Sequence, residues 1–283
     1  MTNTRAENIQ NGLRLPDSGQ MPVIKGPPID YMYVVDEESY KDENVIFEGR
    51  YGNWIWLILH GLVEIIKETP AGPIPILRLG EGAFIGNLAA FLPQQQVERT
   101  ASVRAIGKLQ LAVVDSQRLA REFAQSSPDF REFILSLNHR LIQATNRVVE
   151  LALNKPGNFP FCPKQIIKQG KSDEPLFRIT AGHALVSRSV DQNNNLPLVC
   201  LEADDYFGSV PFLDMGLEPC GASVFTSEEF QAIPADNKLF EQEFNRLSAT
   251  FRNMLVVTAS SIAITSQVAY DFFNRTQGKT NIK

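Results

Sequence analysis

An internal duplication is the feature that most constrains how this chain of 283 residues folds. Short motifs recur at an interval of 121 residues: "IFEGR" with "IKQGK", "LHGLV" with "TAGHA", and "TASV" with "GASV". The glycines at positions 86 and 208 recur at 122 residues. The chain is therefore predicted to contain two copies of one unit, so that the fold of the first copy should appear again in the second.

Each copy begins with short apolar runs that predict β-strands. Examples are "NWIWLILHGLVEIIK" and "PLFRITAGHALVSRSV", which are rich in Ile, Val, Leu, Phe and Trp and are separated by Gly and Pro turns. Runs of this kind are typical of a small antiparallel barrel or sandwich.

A long helix is predicted at the end of each copy, over residues 116–153 and 237–273. Apolar residues in the first helix follow alternating spacings of four and three, which form a heptad seam: Phe130, Ile134, Leu137, Leu141, Ala144, Val148 and Leu151. Adding 121 gives a smaller and more polar seam in the second: Phe251, Leu255, Thr258, Ile262, Thr265, Ala269 and Phe272. Two arrangements fit this pattern, packing of each helix on its own barrel and a helix–helix contact between repeats or subunits.

Charge and cysteine content exclude several classes of protein. With 32 acidic and 27 basic side chains and a net charge of −5, the chain has no dense basic cluster, so we expect no direct contact with nucleic acid. The three cysteines are widely spread without a C-x-x-C pair, which favours reduced thiols in a cytoplasm.

Residues 1–28 are polar and aperiodic and indicate a flexible leader. The uncharged stretch Met254–Tyr270 contains several Ser and Thr, so we expect no membrane span.

The stretch "EGAFIGNLAAFLPQQQVERTASVRA" (residues 81–105) contains the motif with the clearest chemistry. Together with the flanking strands and the long helix, it resembles the cyclic nucleotide-binding domain family over roughly residues 30–153 and, more faintly, 160–273. The tandem arrangement is similar to that of the regulatory subunit of cyclic-AMP-dependent protein kinase. The resemblance implies a fold class that is mainly β with α, in which two tandem jelly-roll-like β-barrels are each followed by a long α-helix.

The resemblance also implies a division of the chain into domains. We expect a leader at 1–28, a cyclic nucleotide-binding-like domain with its helix at 29–153, a second, degenerate one at 154–274, and a tail at 275–283. The long helices are similar to the dimer helix of the catabolite activator protein. About ten polar residues follow Phe273, so we expect no helix-turn-helix domain after the second helix.

The family's phosphate-binding cassette implies a ligand site in the first repeat, at Gly86, Asn87, Leu88, Ala89, Arg99, Thr100, Ala101 and Ser102. A glycine allows close backbone approach, and free N–H groups at a helix start favour an anion. An arginine fork then pairs with the phosphate. In this sequence Asn87 stands where the family has Glu, and twelve residues separate Asn87 from Arg99, two or three more than in the family. The alternative for Arg99 is an exposed arginine paired with Glu98 or Glu81.

The second copy has lost the groups that would neutralise a phosphate. It keeps Gly208, but Ser209 replaces the carboxylate and Cys220 takes the place of the arginine. We expect no cyclic mononucleotide in this half and assign it a role in packing or partner recognition.

No catalytic constellation is found, so we expect a protein that is not an enzyme. Because His60 and His183 belong to different repeats and His139 lies on a helix at an exposed position, they cannot converge on one metal ion. Sequence motifs for a serine nucleophile, a Walker lysine loop and a zinc protease are missing. We therefore expect no metal and no cofactor, with a cyclic nucleotide as the one small-molecule ligand.

Three hypotheses about function follow. The first is a cytoplasmic, ligand-responsive regulator that acts through protein contacts or self-association of helices 116–153 and 237–273. The second is a ligand-independent scaffold or dimerisation protein. The third is a cyclic dinucleotide receptor, because the longer "PQQQV" segment could admit a larger ligand.

Overall fold

The computed structural model describes residues 9–10, 13–14, 21–28, 33–86, 88, 97–170, 175–191, 194–213 and 221–277. It confirms the predicted fold class of two strand-rich units, each followed by helices, although helices hold nearly as many residues as strands. The strands of the first repeat, with two short ones before it, are β1 Ile9–Gln10, β2 Leu13–Arg14, β3 Val23–Ile24, β4 Val34–Lys41, β5 Asn44–Ile46, β6 Ile55–Lys67, β7 Ile74–Leu79, β8 Phe84–Ile85 and β9 Ser102–Val114.

The second repeat has shorter strands. They are β10 Lys164–Ile167, β11 Phe177–Ala181, β12 Ala184–Ser189, β13 Asn195–Leu201, β14 Tyr206–Phe207, β15 Ser223–Thr226 and β16 Gln231–Pro234. The four helices are α1 Ser116–Gln125, α2 Pro128–Ala152, α3 Asn237–Arg246 and α4 Ala249–Gln277.

The first repeat forms one seven-stranded sheet that closes around an apolar core. Its order is β3-β7-β6-β9-β4, with β5 also pairing with β9 and β8 with β6. The long strands β6 and β9 run antiparallel, and their register shifts on both sides of His60. Gly61 lies at this bulge with a positive φ of 99°, and a Cβ there would come within 2.4 Å of the Lys108 carbonyl oxygen. Glycine is therefore required where the barrel bends.

The second repeat divides the same strands into two sheets. One has the order β10-β15-β12-β13 and the other β14-β11-β16. The break within the counterpart of β6 falls at Gly182, which also has a positive φ, 73°. The glycine pair that revealed the duplication thus marks one corner of both barrels.

Part of the segment that the sequence assigned to the leader contributes to the first barrel. Strand β3 pairs in parallel with β7. The burial of Met21 and Ile24 holds this segment against the barrel. The segment is too short to show a hydrophobic period, so the sequence did not predict a strand there.

The predicted continuous helix at 116–153 is wrong, since α1 ends at Gln125 and α2 begins at Pro128. Proline disfavours a helical conformation in the residue before it, and the hydroxyl of Ser127 accepts a hydrogen bond from the Phe130 N–H. The helix predicted at 237–273 is divided in the same way, with Ser248 accepting from the Phe251 N–H.

Helices α2 and α4 pack against each other within one chain, between the two barrels. All seam residues predicted from the heptad pattern are buried or half-buried there. Of the two arrangements left open by the sequence, the contact between repeats is therefore present, and each helix also touches a barrel.

The two repeats exchange carboxylate caps. Glu243 on α3 accepts a hydrogen bond from the Ser127 N–H at 2.9 Å, and Glu122 on α1 accepts one from the Ser248 N–H at 2.8 Å. Each carboxylate thus occupies the positive N-terminus of the other repeat's long helix. Because Glu122 and Glu243 are 121 residues apart, the contact is symmetric and relates the repeats by a pseudo-two-fold axis.

Within the described residues, no helix combines the length and the apolar character needed to span a membrane.

Candidate functional site

A cavity of about 140 Å³ lies between the first barrel and the long helices, measured as the space open to the centre of a water molecule. Its barrel wall includes Phe84 and Ile85 of β8 and the start of β9. Five of the predicted site residues line it: Gly86, Leu88, Arg99, Thr100 and Ala101. Asn87 and Ala89 lie outside the described residues.

Gly86 is required by the close approach of two strands. Its φ is 146°, and a Cβ added to it would lie 3.0 Å from Cγ1 of Ile55. A larger residue would push β8 away from β6 and change the edge of the cavity. The counterpart Gly208 has a φ of 111°, and a Cβ there would lie only 2.1 Å from the Pro175 carbonyl oxygen. The glycine therefore has a backbone role in both repeats, whether or not a ligand binds.

Arg99 is buried, with 7 % of its surface exposed. Its backbone is fixed on both sides, since its N–H donates to the Arg50 carbonyl at 2.7 Å and its carbonyl accepts from the Gly49 N–H at 2.9 Å. The Nη2 atom donates to the Trp54 carbonyl oxygen at 2.9 Å, and the guanidinium carbon lies 5.5 Å from the centre of the Trp56 ring. Burial lowers the pKa of the Arg99 guanidinium.

The guanidinium of Arg99 has no carboxylate partner among the described residues. The alternative pairing with Glu81 does not form, because Glu81 instead contacts His60 at 2.7 Å, and no ion pair joins Arg99 to Glu98 in the described part of the chain. A guanidinium has five N–H donors, and a carbonyl and an aromatic face satisfy only part of this capacity. Buried charges are normally paired, so this position favours an anion.

Ser102 does not line the cavity. Its hydroxyl is buried and accepts a hydrogen bond from the Glu48 N–H at 3.0 Å. In the second repeat Ser223 accepts from the Gln169 N–H, also at 3.0 Å. Because both partners are 121 residues apart, the serine joins its strand to the turn after β5 in the first barrel and after β10 in the second, and this role does not involve a ligand. The neighbouring Thr100 lines the cavity, and its carbonyl accepts from Lys67.

The far wall of the cavity comes from helices that sequence reasoning did not include in the site. Helix α2 contributes Asn138, Leu141, Ile142 and Thr145, and α4 of the second repeat contributes Met254, Val257, Thr258, Ser261 and Thr265. The more polar second heptad seam was the available signal, since Thr258 and Thr265 belong to it. Its small side chains leave space where larger ones would fill the cavity.

Thr265 has an unusual environment. Its side chain is fully buried, and its hydroxyl has no hydrogen-bond partner among the described residues. The other cavity hydroxyls donate to their own helix: Thr145 to the Leu141 carbonyl, Thr258 to Met254 and Ser261 to Val257. A buried hydroxyl without a partner costs free energy, so Thr265 is a candidate for contact with a ligand.

In the second repeat, large side chains fill the corresponding space. The counterpart of Met254 is Phe133 on α2, whose ring packs 5.7 Å from Tyr206 and 6.1 Å from Phe212. Tyr206 corresponds to the cavity residue Phe84, and burial raises its pKa. Ser209 follows Gly208, while Cys220 lies outside the described residues. The contrast between the repeats thus includes the helices as well as the lost arginine.

The three histidines contact three different carboxylates: His60 contacts Glu81, His139 contacts Asp205 and His183 contacts Glu229. Within the described residues, no group of three or more His, Cys, Asp or Glu could hold a metal ion. His139 was expected to be exposed but is half-buried and contacts Asp205 of the second barrel at 3.0 Å. The hydrogen bond that the His139 ring donates to the Asp205 carboxylate raises the pKa of His139. This histidine joins α2 to the second barrel.

Cys162 and Cys200 are free thiols. Burial raises the pKa of Cys200 to about 11, so its thiol is protonated at neutral pH. Both thiols therefore lack the lowered pKa of a reactive cysteine.

Residues 36–126 match the family model described as "Cyclic nucleotide-binding domain", all within the first repeat. This match confirms the resemblance predicted from the sequence for that repeat.

Three solved structures are similar to parts of the chain. The EAL enzyme Bd1971 in its halfsite-occupied form is 26 % identical over 42 % of this chain and 95 % of that one, with a TM-score of 0.29. The regulatory domain of Toxoplasma gondii PKA with cAMP is 16 % identical over 86 % and 85 %, with a TM-score of 0.27. A cyclic nucleotide-binding domain from Methylobacillus flagellatus KT is 29 % identical over 31 % and 49 %, with a TM-score of 0.27. At TM-scores below 0.5, none of these structures defines the ligand of this chain.

Proposed function

We propose that this chain, whose first repeat matches the cyclic nucleotide-binding domain family, is a non-enzymatic regulatory protein that binds a small anion, in the first instance a cyclic nucleotide, beside Arg99. In this proposal residues 29–153, together with strand β3 from the predicted leader at 1–28, form the ligand-binding domain, 154–274 form a second, degenerate domain, and 275–283 form a tail. Its place of action is a cytoplasm, without contact to nucleic acid.

The environment of Arg99 carries the proposal. The guanidinium is buried beside an open cavity, and no carboxylate among the described residues neutralises it. A bound anion would supply the missing partner through a charge-assisted hydrogen bond. The site residues proposed around it are Gly86 to Ala89 and Arg99 to Ala101.

The second repeat supplies the means by which a ligand would be sensed. A molecule in the cavity would touch the first barrel and α4 together, because Thr258 and Thr265 of α4 line the same space. A ligand shifts an arrangement of helices only if it binds one arrangement better than another. Because the ligand would contact both the first barrel and α4, its affinity would depend on where α4 lies relative to that barrel.

Helix α2 offers the route onward to the second barrel. Gln143 donates to the Cys200 carbonyl at 2.7 Å and accepts from the Cys200 N–H at 2.8 Å. Arg147 donates to the Pro197 carbonyl at 2.9 Å. A movement of α2 would therefore move the second barrel, which in this proposal is the part that a partner recognises.

Protein contacts through helices 116–153 and 237–273 remain part of the proposal, with one constraint. The heptad seam residues are buried or half-buried within one chain, where α2 packs against α4 and both helices pack against the barrels. A protein partner or a second copy therefore has to use the outer faces of these helices or displace one of them.

A ligand-independent scaffold is the second candidate function. The aromatic cluster around Phe133 and Tyr206 favours it, because this half of the molecule has the packing of a permanent structural unit. The "PQQQV" segment on which the cyclic dinucleotide hypothesis rests lies, except for Val97, outside the described residues, so that ligand serves as one arm of the experiment.

Thermal unfolding with cyclic AMP, cyclic GMP and cyclic di-GMP tests the proposal. A ligand present at 100 times its dissociation constant stabilises the fold by about 2.7 kcal/mol. We expect this stabilisation with a cyclic nucleotide, its loss in Arg99→Gln, and its retention in Arg121→Gln, which changes an exposed arginine on α1. No stabilisation by any of the three nucleotides would favour the scaffold.

A further inference from the structure

We propose that the cavity of the first barrel takes a small apolar monocarboxylate, such as benzoate or phenylacetate, as a ligand class other than cyclic nucleotides. This inference rests on the proposed function, because it concerns the occupant of the same cavity and the same arginine. Four properties of the cavity carry it: its size, the apolar character of its walls, the small number of polar side chains, and the single buried cation.

The size of the cavity suits one ring. Its volume is about 140 Å³, close to the roughly 150 Å³ of an engineered apolar protein cavity that binds benzene. Pockets for larger organic ligands have volumes of about 300–1,000 Å³. A substituted benzene ring fits a volume of this size with α2 and α4 in the positions that the structure shows.

The walls of the cavity are mostly hydrocarbon. Leu77 and Leu79 of β7 and Ile85 of β8 form part of one side, and Leu141 and Ile142 of α2 form part of another. Burial of an apolar ring against such side chains gains free energy in proportion to the area removed from water.

Besides Arg99, only six of the described lining residues have polar side chains: Thr100, Asn138, Thr145, Thr258, Ser261 and Thr265. The hydroxyls of Thr145, Thr258 and Ser261 already donate to their own helix. Among the described lining residues there is no carboxylate. A nucleotide would bring a ribose hydroxyl and several ring nitrogens into this space, and each buried polar group needs a partner.

One charge remains to be matched, and it is positive. Arg99 is the single charged side chain among the described lining residues. A carboxylate is planar and can accept two parallel hydrogen bonds from a guanidinium. A molecule with one carboxylate and an apolar body therefore fits both the charge and the walls, whereas a neutral molecule of the same shape leaves Arg99 without a counter-ion.

The test is calorimetric titration of the full chain with benzoate, phenylacetate and the uncharged benzyl alcohol. We expect at least one carboxylate to bind at least tenfold more tightly than benzyl alcohol. The tenfold preference should disappear in Arg99→Gln and persist in Arg121→Gln, with folding of each variant checked by circular dichroism.

A second variant tests the cavity without changing its charge. Met254→Phe combined with Thr258→Leu introduces the side chains that α2 has at the equivalent positions, Phe133 and Leu137. We expect this double variant to lose carboxylate binding because the second repeat fills its own space with these residues.

The outcomes separate this inference from the proposed function. Binding of a cyclic nucleotide without binding of either carboxylate overturns the inference and leaves the proposed function intact. Carboxylate binding that does not depend on Arg99, or that survives in the filled variant, also overturns it. Arg99-dependent carboxylate binding supports it, including when no cyclic nucleotide binds.

Discussion

Arg99, whose guanidinium has no carboxylate partner among the described residues, and Thr265, whose buried hydroxyl has no partner there, lie beside the same cavity. Arg99 is the residue that the sequence motif identified. Thr265 lies 166 positions later, on the helix of the other repeat. A residue that costs stability in the unliganded fold is expected at a binding site.

Replacement of Thr265 by Val removes the unpartnered hydroxyl and keeps the shape of the side chain. We expect Thr265→Val to stabilise the unliganded protein by about 1 kcal/mol, because a buried hydroxyl without a partner is removed. Urea unfolding measures the change. The matched control is Thr258→Val on the same helix. Because the Thr258 hydroxyl donates to the Met254 carbonyl at 2.9 Å, this substitution should stabilise the protein less. A loss of 1 kcal/mol or more in Thr265→Val would contradict the assignment.

His139 predicts a dependence of stability on pH. Its pKa is raised by the hydrogen bond that the ring donates to Asp205, with further contributions from the charges of Asp205 and Glu202. The stabilisation is therefore fully present below the unfolded-state pKa of about 6.5 and is lost as the pH rises through the folded-state pKa. We expect His139→Gln to lower the urea midpoint more at pH 5.5 than at pH 8.5. An equal or larger effect at pH 8.5 would show that the ion pair does not form.

At the scale of elements, the duplication predicted more of the fold than any single motif did. The equivalent glycines, the strand order from barrel to helix and both heptad seams follow from it. The breaks at Ser127 and Ser248 were missed because the apolar period continues across them, while capping and the proline act on single residues. The α4 wall of the cavity was missed because a heptad pattern shows which residues are buried and cannot show which barrel they face.

The exchanged caps predict a specific loss of stability. Glu243 is buried, and its carboxylate accepts from the Ser127 N–H at the start of α2. We expect Glu243→Ala to destabilise the fold by about 1–2 kcal/mol, because an orphan N–H of the helix loses its partner. Glu241→Ala, at an exposed position of the same helix, is the control and should change stability by less than about 0.5 kcal/mol. Equal effects of the two substitutions in urea unfolding would be evidence against the cap.

At the scale of the whole molecule, the two repeats of one chain pack together as two subunits of a dimer would, but their interiors differ. The two long helices pair between the barrels, and the exchanged carboxylates join the repeats at the N-terminal ends of those helices. The helix of the second repeat lines an open cavity on the first barrel, while the helix of the first repeat fills the second barrel with Phe133. Among the described residues, the same unit thus gives a cavity beside Arg99 in one repeat and an aromatic cluster around Phe133 in the other.

The stoichiometry of binding tests this account most directly. Calorimetric titration of the full chain with the small anion that stabilises it most should give one site per chain, and Arg99→Gln should abolish that site while Arg121→Gln keeps it. Two sites per chain, or a site that persists without the Arg99 guanidinium, would contradict the account, as would the absence of binding with every cyclic nucleotide and small carboxylate tested.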